Sequence, residues 1–85
     1  EKAWNLMKRF CVENNLTLPL KIQGVICEMI FQMGFTGVSK FRNMIKYLQK
    51  DLWADAANEM LNSQWHRQTP NRARTLSDEM RSLAF

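Results

Sequence analysis

The sequence predicts an all-α fold, a compact orthogonal bundle of short helices. Three observations predict it. Apolar residues recur every three or four positions almost from end to end, and strand alternation appears nowhere. Only three Gly and two Pro interrupt 85 residues, too few punctuators for the many turns of an all-β chain. Finally, 46% of residues are hydrophobic, five Phe and three Trp among them, which supplies a core and excludes a disordered segment.

The elements follow in order. Ala3, Met7 and Phe10, flanked by Trp4 and Cys11, mark one face of a first helix that fades at Asn14-Asn15, residues suited to a C-terminal turn. Leu16 to Pro19 is a connector, with Pro19 placed to open the next helix. Ile22, Val25, Ile26, Met29, Ile30 and Met33 then form the cleanest apolar stripe of the chain, predicting the central, most buried helix. Gly34 ends it, and Phe35 to Val38 makes a tight corner or a very short helix. Phe41, Met44, Ile45 and Leu48 repeat the helical spacing. Asp51 is placed to cap the helix carrying Trp53, Ala56, Ala57, Met60 and Leu61. Ser63 is placed to cap a short turn bearing Trp65, and Thr69-Pro70 to start a last helix with Ala73, Leu76, Met80 and Leu83 on its apolar face. No repeat, linker or low-complexity tract divides residues 1–85, which read as a single helical domain.

Charge and composition narrow the function only partly. Twelve Lys+Arg against eight Asp+Glu leave +4, which makes anionic partners plausible and selects none. The basic residues are scattered over several helices, so nucleic acid ranks last among partners. No run of about 18 apolar residues offers a membrane span, and no signal-peptide pattern opens the chain. Cys11 and Cys27 lack CxxC spacing, and His66 stands far from both, so no metal set assembles and no cofactor is expected. Two core thiols are the favoured reading, with a disulfide left open.

Catalytic arrangements are equally sparse. Glycosidic hydrolysis uses two carboxyl groups, one of them protonated. Asp51 and Asp55 suit the start of a helix, where the dipole favours them. Asp78 and Glu79 fall on a polar face, and Glu28 lies off the central stripe. No pair stands out, and no GxSxG elbow or phosphate loop is present. The densest cluster runs from Gln64 to Arg74, where Trp65, Gln68, Asn71 and Arg72 combine an aromatic platform, amides and guanidinium groups. It suits sugar recognition, or else surrounds a core Trp with polar residues. Spacing alone favours the core Trp.

Phe31-Gln32-Met33-Gly34, followed by Thr36-Gly37-Val38 and Phe41, resembles the start of the C-terminal lobe of T-even-type phage lysozymes. The likeness continues through Trp53, Ala56-Ala57, Ser63, Trp65, Gln68 to Ala73 and Arg81 without a gap. Residues 1–15 resemble, more weakly, the helix linking the two lobes of those enzymes, and 19–85 the helical lobe. The resemblance implies one wall of a cleft for peptidoglycan, whose glycan the family cleaves between N-acetylmuramic acid and N-acetylglucosamine. It implies substrate contact for Phe31 and Gln32. It also implies that Arg72, supported by Trp65 and Gln68, pairs with a catalytic Glu of the other lobe. Two further cleft positions, a Ser and an Asn in the family, fall on Met44 and Glu59 here and are not carried over.

The family's catalytic Glu, Asp and Thr have no counterpart in Glu1 to Asn15. We therefore expect a lobe without catalytic residues of its own, inactive alone and partnered by an N-terminal catalytic lobe or another protein. The chain opens on Glu1 with a helical pattern already running by Ala3, as a segment of something longer would. Apolar residues such as Trp4 and Phe10 are expected to lie bare where that partner is missing, favouring self-association. The alternative is a non-catalytic module binding peptidoglycan or protein. An endolysin of this kind is made in the host cytoplasm and acts on the periplasmic cell wall.

Overall fold

In the first helix, α1 (Lys2–Glu13), Ala3, Met7 and Phe10 lie one turn apart, and all three are buried. The computed structural model describes residues 2–83, and Glu1 lies outside them. Asn15 ends α1 in the left-handed region at φ 55°, as its short polar side chain permits. The Asn14 amide also donates to the Phe10 carbonyl at 2.9 Å.

After Pro19, α2 (Leu20–Ser39) runs 20 residues and turns sharply at Gly34, whose φ of 82° and ψ of 163° lie outside the helical range. The predicted end at Gly34 is thus real, and the corner after it is a further short helical piece. Its Phe35 ring meets Phe10 edge-on with centroids 6.2 Å apart, so the kink folds the chain back over α1. Ile22, Val25, Ile26, Met29 and Ile30 are buried, as their spacing predicts.

Three short helices follow: α3 (Arg42–Gln49), α4 (Trp53–Leu61) and α5 (Gln64–Gln68). The last, α6 (Pro70–Arg81), packs against α4, α5 and α2. Ala56, Ala57 and Ala73 are completely buried, which lets α4 and α6 approach closely. Arg81 clamps this pair by donating to the Asn58 side chain at 2.8 Å.

Side chains from all six helices join one apolar cluster. Burying a large apolar side chain contributes about 1.5–3 kcal/mol. The single ion pair among the described residues, Arg9 with Glu13, is exposed on one helix, where such pairs contribute about 0.3–0.5 kcal/mol. Apolar burial therefore decides the fold.

Four expectations need correction. Asp51 caps nothing: it adopts φ 57° after α3, and Leu52 holds the cap position of α4. Thr69 does precede Pro70 at the start of α6, but its hydroxyl donates backward to the Trp65 carbonyl at 3.1 Å. Phe10 is completely buried and Trp4 is half-buried, because α1 packs this face on α2. The most exposed large apolar side chains among the described residues are instead Val12, Leu20 and Phe31, at 77%, 73% and 72% exposure. Both cysteines are only half-buried, not core thiols. Among the described residues no helix is long and apolar enough to cross a membrane, and no group of three His, Cys, Asp or Glu could hold a metal.

Candidate functional site

Helical geometry separates the first two candidates. Phe31 and Gln32 are consecutive on α2, so their side chains diverge by about 100° around its axis. Phe31 points out, exposed and clear of the core, beside a hollow formed with Leu6 of α1. Gln32 turns toward α5, where its Oε1 accepts the Trp65 indole N–H at 2.9 Å.

Trp65 can serve as that donor because its short helix is fastened at both ends. Ser63 caps the start of α5, its hydroxyl oxygen accepting the His66 N–H at 3.1 Å while donating to the Met60 carbonyl. At the other end the Thr69 hydroxyl and backbone N–H both donate to the Trp65 carbonyl. The indole is 92% removed from solvent, being only 8% exposed, and meets Phe41 edge-on with ring centroids 6.4 Å apart. A buried indole needs an acceptor, and Gln32 is that acceptor. The polar cluster on α5 and α6 thus surrounds a core Trp, as spacing alone favours, and that Trp also reaches into the site.

A groove of about 580 Å³ opens between α2 and α6. Gln32 and Arg72 line it, together with Asn71, Thr75, Glu28 and Glu79. The Arg72 guanidinium is exposed and has no hydrogen-bond or ion-pair partner among the described residues. An unpaired fork of this kind can receive a carboxylate in two parallel bonds. Phe31 and Gln68 stay outside this groove: Phe31 flanks the neighbouring hollow, and Gln68 is exposed at the end of α5. Of the five residues singled out from sequence, Gln32, Trp65 and Arg72 are brought together.

Spacing did not bring Glu28 and Glu79 together; the fold does. They come from α2 and α6, far apart in the chain, and share the groove only because those helices pack. Both are exposed, and neither accepts a hydrogen bond or an ion pair among the described residues. Outside the site, burial pushes the Cys11 thiol up from its ordinary value. Met44 and Glu59, the two positions that depart from the lysozyme pattern, line a separate groove around the start of α3.

Relatives bear on this arrangement. No family model matches the chain. A Dictyostelium discoideum protein named "Probable T4-type lysozyme 2" is 42% identical to it over 62 residues, 73% of this chain and 35% of that protein. "Probable T4-type lysozyme 1" of the same organism is 48% identical over 48 residues, 56% of this chain and 28% of that protein. This chain carries a T4-type lysozyme-related region. The match spans about a third of the length of these curated relatives. Its helical architecture agrees with the lysozyme C-terminal lobe that the motifs imply.

Proposed function

We propose that the chain is the helical lobe of a T4-type lysozyme and forms one wall of a peptidoglycan cleft. The enzyme would hydrolyse the bond between N-acetylmuramic acid and N-acetylglucosamine with carboxyl groups of a companion lobe. The observation that carries this reading is the placement of Gln32, fixed by Trp65 at 2.9 Å, in one groove with an unpaired Arg72. The lysozyme relatives supply the substrate class.

In mechanism, this lobe positions rather than reacts. Gln32 keeps its amide N–H groups for a sugar hydroxyl or acetamido carbonyl, since its oxygen is taken by the indole. The Phe31 ring offers an apolar face for a pyranose ring. Arg72 would receive the companion lobe's catalytic carboxyl, orienting it and setting its proton affinity by charge. Glu28 and Glu79 are assigned to the solvated rim.

Two assays on the 85-residue chain test this reading. It should be retained by purified peptidoglycan without releasing reducing ends, and should leave permeabilised Gram-negative cells intact. Robust lysis by the chain alone would overturn the reading, and Glu28→Gln and Glu79→Gln variants would then show whether the groove's own carboxyl groups are responsible. Absence of retention would equally count against a substrate-binding wall.

A further inference from the structure

The connector between α1 and α2 leaves helical geometry over residues 16–19, and its side chains alternate. Asn15, Thr17 and Pro19 are exposed, while Leu16 and Leu18 between them are buried in the core. Alternate side chains of an extended chain point to opposite sides. Asn15 and Thr17 therefore face water together while both leucines turn inward. The turn that leads into this stretch is fixed. Around the left-handed Asn15, the Leu16 N–H donates to the Cys11 carbonyl at 2.8 Å. The Gln49 side chain of α3 donates to the Asn14 carbonyl, also at 2.8 Å.

Asn15-Leu16-Thr17 fits the pattern Asn-x-Ser/Thr, with x other than Pro, in which the asparagine accepts an N-linked oligosaccharide. No other asparagine of the chain has a Ser or Thr two positions on. Transfer needs a reachable carboxamide and a reachable hydroxyl. Both side chains are exposed, and neither has a hydrogen-bond partner among the described residues. A second observation points to an attached group. Val12 is the most exposed large apolar side chain among the described residues. It stands one turn from the acceptor, since the Asn15 N–H donates to the Val12 carbonyl at 3.3 Å. Apolar area left in water is a cost that a sugar lying over it relieves.

We propose that Asn15 is an acceptor for an N-linked oligosaccharide, whose first N-acetylglucosamine covers Val12. The Asn15 Nδ2 forms a bond to the anomeric carbon of that sugar. The bond from this carbon to the diphosphate of a lipid-linked oligosaccharide donor breaks, and the lipid diphosphate leaves with the electron pair. The displaced amide proton passes to a basic group of the transferase. The Thr17 hydroxyl does not react; it is the group the transferase reads. This inference stands apart from the cleft-wall reading, because Asn15 lines neither the α2–α6 groove nor the one at the α2–α3 corner. It does require export through a secretory compartment holding donor and transferase, not the bacterial cytoplasm that the phage resemblance implies. The relatives described above are from a eukaryote, a cell with such a compartment.

The test is expression of the chain in yeast behind a cleavable secretion leader. The secreted product is weighed by mass spectrometry before and after an endoglycosidase that leaves a single N-acetylglucosamine. Most of it should carry sugar, mapped to the peptide containing Asn15. Asn15→Gln and Thr17→Ala should each abolish the added mass, and Thr17→Ser should keep it. In the trimmed product the Val12 methyl signals should be protected from a soluble paramagnetic broadening agent, relative to unmodified chain. Secreted chain of unmodified mass would overturn the proposal, and so would sugar persisting in Asn15→Gln. Equal broadening of Val12 with and without the sugar would overturn the covering contact.

Discussion

Trp65 and Phe31 are two aromatic residues near one candidate site, and the molecule treats them in opposite ways. Trp65 is 8% exposed, hydrogen-bonded to Gln32 and packed on Phe41. Phe31 is 72% exposed and leans on no partner ring among the described residues. The first lowers the energy of the fold and, through its N–H, fixes a side chain of the groove. The second leaves apolar area in water, a cost a ligand can recover by covering it. Trp65 thus belongs to the fold, and the ligand contact proposed above falls to Phe31.

The largest expected effect is on the Trp65 side. Trp65→Ala removes a buried ring from the junction of α2, α5 and α6, and should destabilise the fold by about 3–5 kcal/mol in chemical unfolding. An unchanged midpoint would break the contrast, since Trp65 would then be an ornament of the surface. Gln32→Leu comes next. It leaves the indole N–H without its acceptor at a part-buried position, for a cost of about 1–3 kcal/mol. Trp65→Phe should make that cost largely vanish in the double variant, and a persistent cost would show that Gln32 stabilises the fold by another route.

Phe31→Ala sharpens the other half. Stability should move by no more than about 0.5 kcal/mol, as at other exposed positions. Retention on glycan strands should fall roughly fivefold, corresponding to about 1 kcal/mol of lost ring contact. A large loss of stability with unchanged retention would reverse the assignment.

The smallest effect concerns Cys11. Burial pushes its thiol above the ordinary value of 9.0, so the folded state binds that proton more tightly than the unfolded chain. The resulting stability is fully present below pH 9.0 and is lost as pH rises through the higher folded value. Unfolding followed at pH 8 and pH 10 should show a small decline that Cys11→Ala abolishes. Alkylation of Cys11 should also lag behind that of a free thiol, because less of it is thiolate.

Stripes and turns were legible in the linear chain wherever a local rule acts. The Ile22 to Met33 stripe, the halt at Gly34 and the Ser63 cap all follow from spacing or from one residue's conformational limits. Asp51 and Thr69 misled because the preceding turn uses both: Asp51 takes the left-handed backbone conformation after α3, and the Thr69 hydroxyl bonds back to the Trp65 carbonyl. Leu16 and Leu18 were read only as a connector, yet both are buried, because a loop crossing the core has no periodicity to reveal it. The candidate site was half legible: motif resemblance pointed to Gln32, Trp65 and Arg72. That Glu28 and Glu79 line one groove was beyond reach, since they belong to helices distant in sequence.

What the sequence determined by itself is helix content, most helix limits, the apolar face of each helix and the lysozyme-like motifs, because these depend on neighbours within one or two turns. Only the tertiary structure decided which polar residues share a groove, that Phe10 is covered while Phe31 is not, and that the Trp65 N–H ends on Gln32. Those outcomes depend on how α2, α5 and α6 cross. The crossing is set by the summed packing of side chains from every helix, which no local pattern encodes.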